Sequence, residues 1–193
     1  MRSAATIRTT KETDINMALT IDGEKRGLEG TSGIGFFDHM LNSFAFHGGF
    51  HIALDMTGDL HVDGHHTVED VGIVLGTLFR EALGDRKGIK RFGHIFMPMD
   101  EALAFCAVDI SGRPFLVFNA EFDTPMIGQY DSSLTVEFFR ALAYNAGFTL
   151  HLRSEYGANA HHITEALFKA AARAISDAAS LNGGITLSTK GVL

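Results

Sequence analysis

Two short motifs concentrate the chemistry of this chain: His65, His66 and Glu69 form HHTVE, and His161, His162 and Glu165 form HHITE. On a helix the first histidine and the glutamate of each motif are four apart and share a face, while the two adjacent histidines diverge by about 100°. One motif can therefore serve two ions. Together they supply four imidazoles and two carboxylates, a mixed nitrogen and oxygen donor set that suits manganese, iron or zinc rather than a Cys-rich structural zinc or calcium. A lone histidine is more often a hydrogen-bonded residue than a ligand, and His51, His61, His94 and His151 read that way. The recurrence of three matched residues sets HHxxE apart. A cation at a helix start opposes the helix dipole, and Glu69, Asp70 and Glu165 supply the negative charge that offsets it.

The chain has 16 Lys and Arg against 23 Asp and Glu, a net charge of −7, with no basic block. Nucleic acid or an anionic membrane is therefore a poor partner, and an anionic ligand must be met by a local cluster. Arg91, Arg113, Lys169 and Lys190 are the candidates, with Ser188 or Thr189 adding hydroxyls; Arg offers forked bonds to phosphate oxygens. Taken singly, each reads as a solvated surface charge. Lys169 is the strongest, one turn beyond Glu165 and two beyond His162.

Periodicity identifies the elements that must carry these residues. In 65–84, Val68, Val71, Leu75, Leu78 and Ala82 recur at three and four, with Gly84 as the stop; in 161–184, Ile163, Leu167, Ala170, Ala174 and Ala178 do the same before Gly183 and Gly184. Helical segments at Phe36–Phe46 and Leu134–Ala146 precede them, each followed by a strand-like run, FHIALDM and FTLHLRS. INMALTI, ALAFCAVDIS and PFLVFNAEF read as further strands. Aligned on the HH pairs, HGGF at 47–50 falls on NAGF at 145–148 and His39 falls on Glu137, which brings the ligand candidates to eight. The pattern predicts an α+β fold built by internal duplication, with half-repeats 1–93 and 94–193 sharing one core, since one half alone is small for independent stability.

The 193 residues, 46% hydrophobic and 20% charged with 3 Pro, exclude disorder and large multidomain architectures. The single cysteine, Cys106, lies in the apolar run AFCAVDI and reads as core rather than nucleophile. MRSAATIRTTKET lacks an apolar signal segment and the longest apolar stretch, Val71–Phe79, is too short to span a bilayer, so a cytoplasmic location is expected.

FFDHM, GDLHVDGHHTVEDVGIVLGTL, GDRKGIKRFG, MDEAL, DISGRPF, NAHHITEALFKAAARA and STKGVL closely resemble the imidazoleglycerol-phosphate dehydratase family. The resemblance implies two similar lobes, each a four-stranded sheet backed by helices, and an octahedral homo-oligomer of 24 subunits with active sites between them. It also implies two manganese ions per subunit, one held by His39, His66, Glu69 and His162, the other by His65, Glu137, His161 and Glu165. Position 137 departs from the family pattern, which often has histidine there; a carboxylate remains a competent ligand. Substrate contacts implied are Glu12 of the KET segment, the stretch from His39 to His47, and His65, with Arg91, Arg113, Lys169, Ser188 and Lys190 around the phosphate. The reaction implied is loss of water from imidazole glycerol phosphate to give imidazole acetol phosphate.

The proton to be removed has no neighbouring carbonyl, so the substrate's imidazole ring must supply the electrons. A metal-bound imidazolate expelling the adjacent hydroxyl is the expected route, with Glu165 or Glu69 as proton carrier and Glu12 handling the hydroxyl. Two rivals remain at this level: a binuclear phosphate-ester hydrolase, and a non-catalytic metal-binding assembly protein.

Overall fold

A computed structural model describes residues 1–184 and 187. The first sheet comprises β1 (Ser3–Thr9), β2 (Thr13–Thr20), β3 (Gly27–Thr31) and β4 (His51–Gly58) in the order β1-β2-β4-β3. The second repeats it with β5 (Phe92–Met99), β6 (Ala102–Asp109), β7 (Phe115–Asn119) and β10 (Thr149–Tyr156) in the order β5-β6-β10-β7. Two short strands, β8 (Met126–Ile127) and β9 (Tyr130–Asp131), form a separate pair. The only parallel neighbours in the two large sheets are β3 with β4 and β7 with β10. Each parallel pair needs a crossover, supplied by α1 (Gly35–Gly48) and α3 (Leu134–Ala146).

Each sheet buries one face. In β2, Thr13, Ile15, Met17 and Leu19 point inward, and in β6 Ala102, Ala104, Cys106 and Val108 do so, the two-residue alternation of a half-covered strand. Burial of Cys106 pushes its thiol well above the ordinary value, so it is core and not a nucleophile. α1 and α2 (His65–Leu83) pack on the first sheet, α3 and α4 (Ala160–Ala179) on the second, and the layers meet with α2 against α3 and α1 against α4. Gly72 and Gly76 permit the α2–α3 approach: a Cβ on Gly72 would stand 2.7 Å from the Phe138 carbonyl oxygen, and one on Gly76 2.6 Å from that of Leu142.

The expected helices are all present, with bounds close to those read from the pattern. β1, β3 and β5 escaped that reading. Their sequences are SAATIRT, GLEGT and FGHIFMPM; the first two are polar or glycine-rich, the third is mostly apolar without alternation, and the faces of all three are only partly covered. The expected boundary between residues 93 and 94 falls inside β5.

Candidate metal and substrate site

Each HHxxE motif opens a long helix, and each start is fixed by a side chain from the preceding loop. Asp63 Oδ1 accepts from His65 N at 2.7 Å; Asn159 Oδ1 accepts from His161 N at 2.9 Å and His162 N at 3.4 Å. These are capping contacts that satisfy donors left free at a helix start.

The packing of α1 against α4 brings His39 to the second motif. His39 Nε2 lies 3.4 Å and His161 Nε2 3.2 Å from Glu165 Oε2, and the three ligand atoms all lie within 4.8 Å of one another. Among the described residues this is the one trio of histidine, cysteine or carboxylate groups so closely gathered. Within one chain, then, His39 stands with His161 and Glu165, whereas the resemblance grouped it with His66, Glu69 and His162.

Glu165 is only 8% exposed through its side chain, and Lys169 Nζ binds its Oε1 at 2.6 Å. Burial works to raise the Glu165 carboxyl, but the hydrogen bond and charge of Lys169, with His39 and His161, outweigh it and hold the carboxyl below its ordinary value. His47 faces the same group; burial first, then Lys169, lowers its imidazole against the opposing pull of Glu165.

The first motif is more open. His65 Nε2 lies 3.9 Å from Glu69 Oε2, on one face of α2. Glu137, the repeat counterpart of His39, is paired with Arg140 on its own helix. The second histidine of each motif turns toward the hairpin of its own sheet, as the angle between neighbouring helix positions requires. His66 Nδ1 meets Asp59 Oδ2 at 2.9 Å, with its Nε2 3.7 Å from Glu12 Oε1. His162 Nδ1 meets Glu101 Oε2 at 2.6 Å, with its Nε2 3.5 Å from Asp100 Oδ2. Donating a hydrogen bond to Asp59 raises His66, and donating one to Glu101 raises His162. Glu101, bound by His162 and by the Asn159 backbone, is lowered to about 2.

Asp59 and Glu101 were not singled out from the sequence. Carrying the repeat alignment into the hairpin turns would have found Glu101, since it precedes β6 as Glu12 precedes β2.

Among the described residues the basic candidates do not form one cluster within the chain. Lys169 belongs to Glu165, while Arg91 clasps Asp109 through Nε at 2.7 Å and Nη2 at 3.1 Å, and Arg113 reaches the same carboxylate at 3.5 Å. Arg91 and Asp109 sit at the end of the β5–β6 hairpin opposite Glu101, roughly 26 Å away at about 3.3 Å per residue. The expected single pocket is thus divided by the length of a strand. Ser188 and Lys190 lie outside the described residues.

Residues 32–175 match the family described as imidazoleglycerol-phosphate dehydratase. Curated relatives of that name include the protein of Ruminiclostridium cellulolyticum, 53% identical with all of both chains covered, and that of Gluconobacter oxydans, 56% identical over 100% of this chain and 98% of the relative. Among solved structures, the imidazoleglycerol-phosphate dehydratase of Staphylococcus aureus superposes with a TM-score of 0.84 at 40% identity, covering 93% of this chain and 99% of the other. The Pyrococcus furiosus enzyme, solved with (S)-C348, gives 0.84 at 39% identity, covering 97% and 100%.

Proposed function

Because the chain belongs to the imidazoleglycerol-phosphate dehydratase family, we propose that this hydro-lyase of histidine biosynthesis forms imidazole acetol phosphate from imidazole glycerol phosphate using two manganese ions per subunit. The observation that carries the metal reading is the convergence of His39, His161 and Glu165. Imidazole and carboxylate donors without thiolate fit a borderline-to-hard divalent ion such as manganese. His65 and Glu69 offer a second pair, Glu137 stands one helix away, and His66 and His162 present their Nε2 atoms toward solvent-facing hairpin turns. When bound, the metal would act as a Lewis acid on the substrate's imidazole ring, easing its deprotonation near neutral pH.

The chain's own groups divide the remaining work. Glu165, kept ionised by Lys169, is poised to take the carbon-bound proton at a carboxylate oxygen, with Glu69 as its counterpart in the first motif. Glu12, 53% exposed at the tip of the first hairpin, handles the departing hydroxyl. His39, His47 and His65 line the substrate's path. Arg91, Arg113, Lys169, Ser188 and Lys190 bind the phosphate, so binding energy remote from the reacting carbons serves the chemical step.

The strand-length separation of Arg91 and Arg113 from His162 means that one chain cannot offer both ends of the site to one small substrate. We infer that a neighbouring subunit completes it in a homo-oligomer with sites at the interfaces; the count of 24 subunits rests on the family resemblance alone. No described helix is long and apolar enough to cross a membrane, and a cytoplasmic location is the one we propose.

The test is turnover of imidazole glycerol phosphate by chelator-treated protein, with and without added manganese. Product that appears only with the metal supports the proposal. Release of inorganic phosphate in its place would identify a hydrolase, and no turnover by assembled, manganese-binding protein would identify a metal-binding assembly; either result overturns it.

A further inference from the structure

The two halves solve one problem in different ways. In each motif the second histidine has its Nδ1 on a carboxylate, at 2.9 Å in His66 and 2.6 Å in His162, but the carboxylates come from non-equivalent places. Asp59 lies in the loop joining β4 to α2, which runs six residues from 59 to 64; the loop joining β10 to α4 has three, Gly157, Ala158 and Asn159. The longer loop folds its own acid back onto His66. The shorter one has no acid, and the second lobe takes its carboxylate from the facing β5–β6 turn.

That carboxylate is fully committed. Glu101 Oε1 accepts from Ala158 N at 3.2 Å and Asn159 N at 2.8 Å, while Oε2 receives His162 Nδ1. Its counterpart Glu12 meets the loop after β4 only through its backbone carbonyl, which accepts from Asp59 N at 3.0 Å; its carboxylate receives no hydrogen bond from that loop and stands 3.7 Å from His66 Nε2, beyond hydrogen-bond range.

A carboxylate accepts only, so Nδ1 must carry a proton, and in the neutral ring that ligates metal it is then Nε2 that keeps the lone pair, facing outward. We propose that Asp59 and Glu101 are positioning residues that fix His66 and His162 in the tautomer and orientation needed to ligate metal through Nε2, and that this commitment of Glu101 leaves Glu12 alone of the two turn glutamates free for the substrate. The inference rests on the metal-dependent reading above. Carboxylate partners behind a ligating histidine typically contribute 10- to 100-fold in metal affinity.

Glu101→Gln is the discriminating change. Its amide oxygen can keep both backbone N–H groups, but its NH2 then faces Nδ1 and favours the tautomer with the proton on Nε2, which cannot ligate. Asp59→Ala removes the partner of His66 outright. Free Mn2+ is followed by electron paramagnetic resonance as chelator-treated, dialysed protein is titrated, with far-UV circular dichroism reporting the fold.

Each variant is expected to retain its secondary structure and lose about 10- to 100-fold in affinity at one class of site, while Glu12→Gln binds as wild type does. A folded variant that titrates like wild type overturns the assignment of its residue, and tight binding lost in Glu12→Gln overturns the division of labour. Should Glu101→Gln not fold, Asp59→Ala decides alone. Wild-type protein that binds no Mn2+ removes the metal reading itself, a result distinct from wild-type binding that the variants leave unchanged.

Discussion

Replacing Gly76 by alanine should destabilise the protein, against the intrinsic preference of a helix. In an open helix position the change from glycine to alanine gains about 1 kcal/mol. At Gly76 the new methyl carbon would lie 2.6 Å from the Leu142 carbonyl oxygen, 2.9 Å from Asn145 Cβ and 3.0 Å from Ala146 N. Two of these are backbone atoms of α3, which cannot rotate away as a side chain can, so α2 and α3 must separate by several tenths of an ångström. Overpacking of this kind costs about 1–3 kcal/mol, and three simultaneous contacts argue for the upper end. The net loss is then about 2 kcal/mol, or roughly 4–8 °C in Tm for a chain of this size. Gly35, the first residue of α1, is the control: nothing lies within 4 Å of its added Cβ, and Gly35→Ala should be neutral or stabilising by up to about 1 kcal/mol. Both variants and wild type are compared by thermal and urea unfolding at one protein concentration, because assembly makes Tm depend on concentration. A Gly76→Ala protein as stable as wild type, or more so, would refute the close α2–α3 crossing, and with it the placement of His65, Glu69 and Glu137 that depends on it.

Two further outcomes concern Glu165. Glu165→Gln should nearly abolish turnover while substrate-analogue binding through the phosphate is retained, as read by calorimetry; retention of most activity would remove Glu165 from the role of base. Lys169→Met should change the pH dependence of stability in metal-free protein. In wild type the folded carboxyl lies below its ordinary value, so its contribution is present above the ordinary carboxylate range and lost as pH falls through the folded value. Without Lys169, burial stands opposed only by His39 and His161, so the deficit of the variant against wild type should be largest near pH 7 and shrink as pH falls through the lowered wild-type value, below which Glu165 is protonated in both. A deficit that does not vary with pH would show that Lys169 acts through packing alone.

The helices and the duplication were legible because both rest on local patterns: three-and-four apolar spacing, glycine stops, and a motif that recurs with its flanks. β1, β3 and β5 were not, since strands covered on part of one face carry weak alternation, and β3 has two glycines among five residues. Of the site, the HHxxE donors and Lys169 could be read from spacing along one helix. The partnership of His39 with His161 and Glu165 depends on α1 crossing α4, a tertiary fact that spacing does not encode. Glu101 was hidden differently. As one acidic residue in a hairpin turn it reads as ordinary surface charge, and it gains meaning only when its turn is set beside the one that carries Glu12.

The duplicated fold explains why the site must be asymmetric. A perfect repeat would give each lobe the same helix start, the same turn glutamate and the same loop, and both turn glutamates would compete for one role. Three local departures break that equivalence. The loop before α2, six residues against the three before α4, lets Asp59 serve His66 from within its own segment. His39 and Glu137 differ at matched helix positions, so one lobe offers an imidazole where the other offers a carboxylate already paired to Arg140. Asp70, a buried residue of α2, accepts from Arg8 and Thr13 and ties down the turn that holds Glu12, whereas the residues of the second lobe aligned with Asp70 and Thr13 are Ala166 and Ala102 and its turn is held through Glu101 instead. In the first lobe the turn is fixed from behind and its glutamate is left exposed; in the second the glutamate itself is the fixing group. On the proposed reading, divergence after duplication separates a group that holds a ligand in place from a group free to meet a substrate, on two copies of one hairpin.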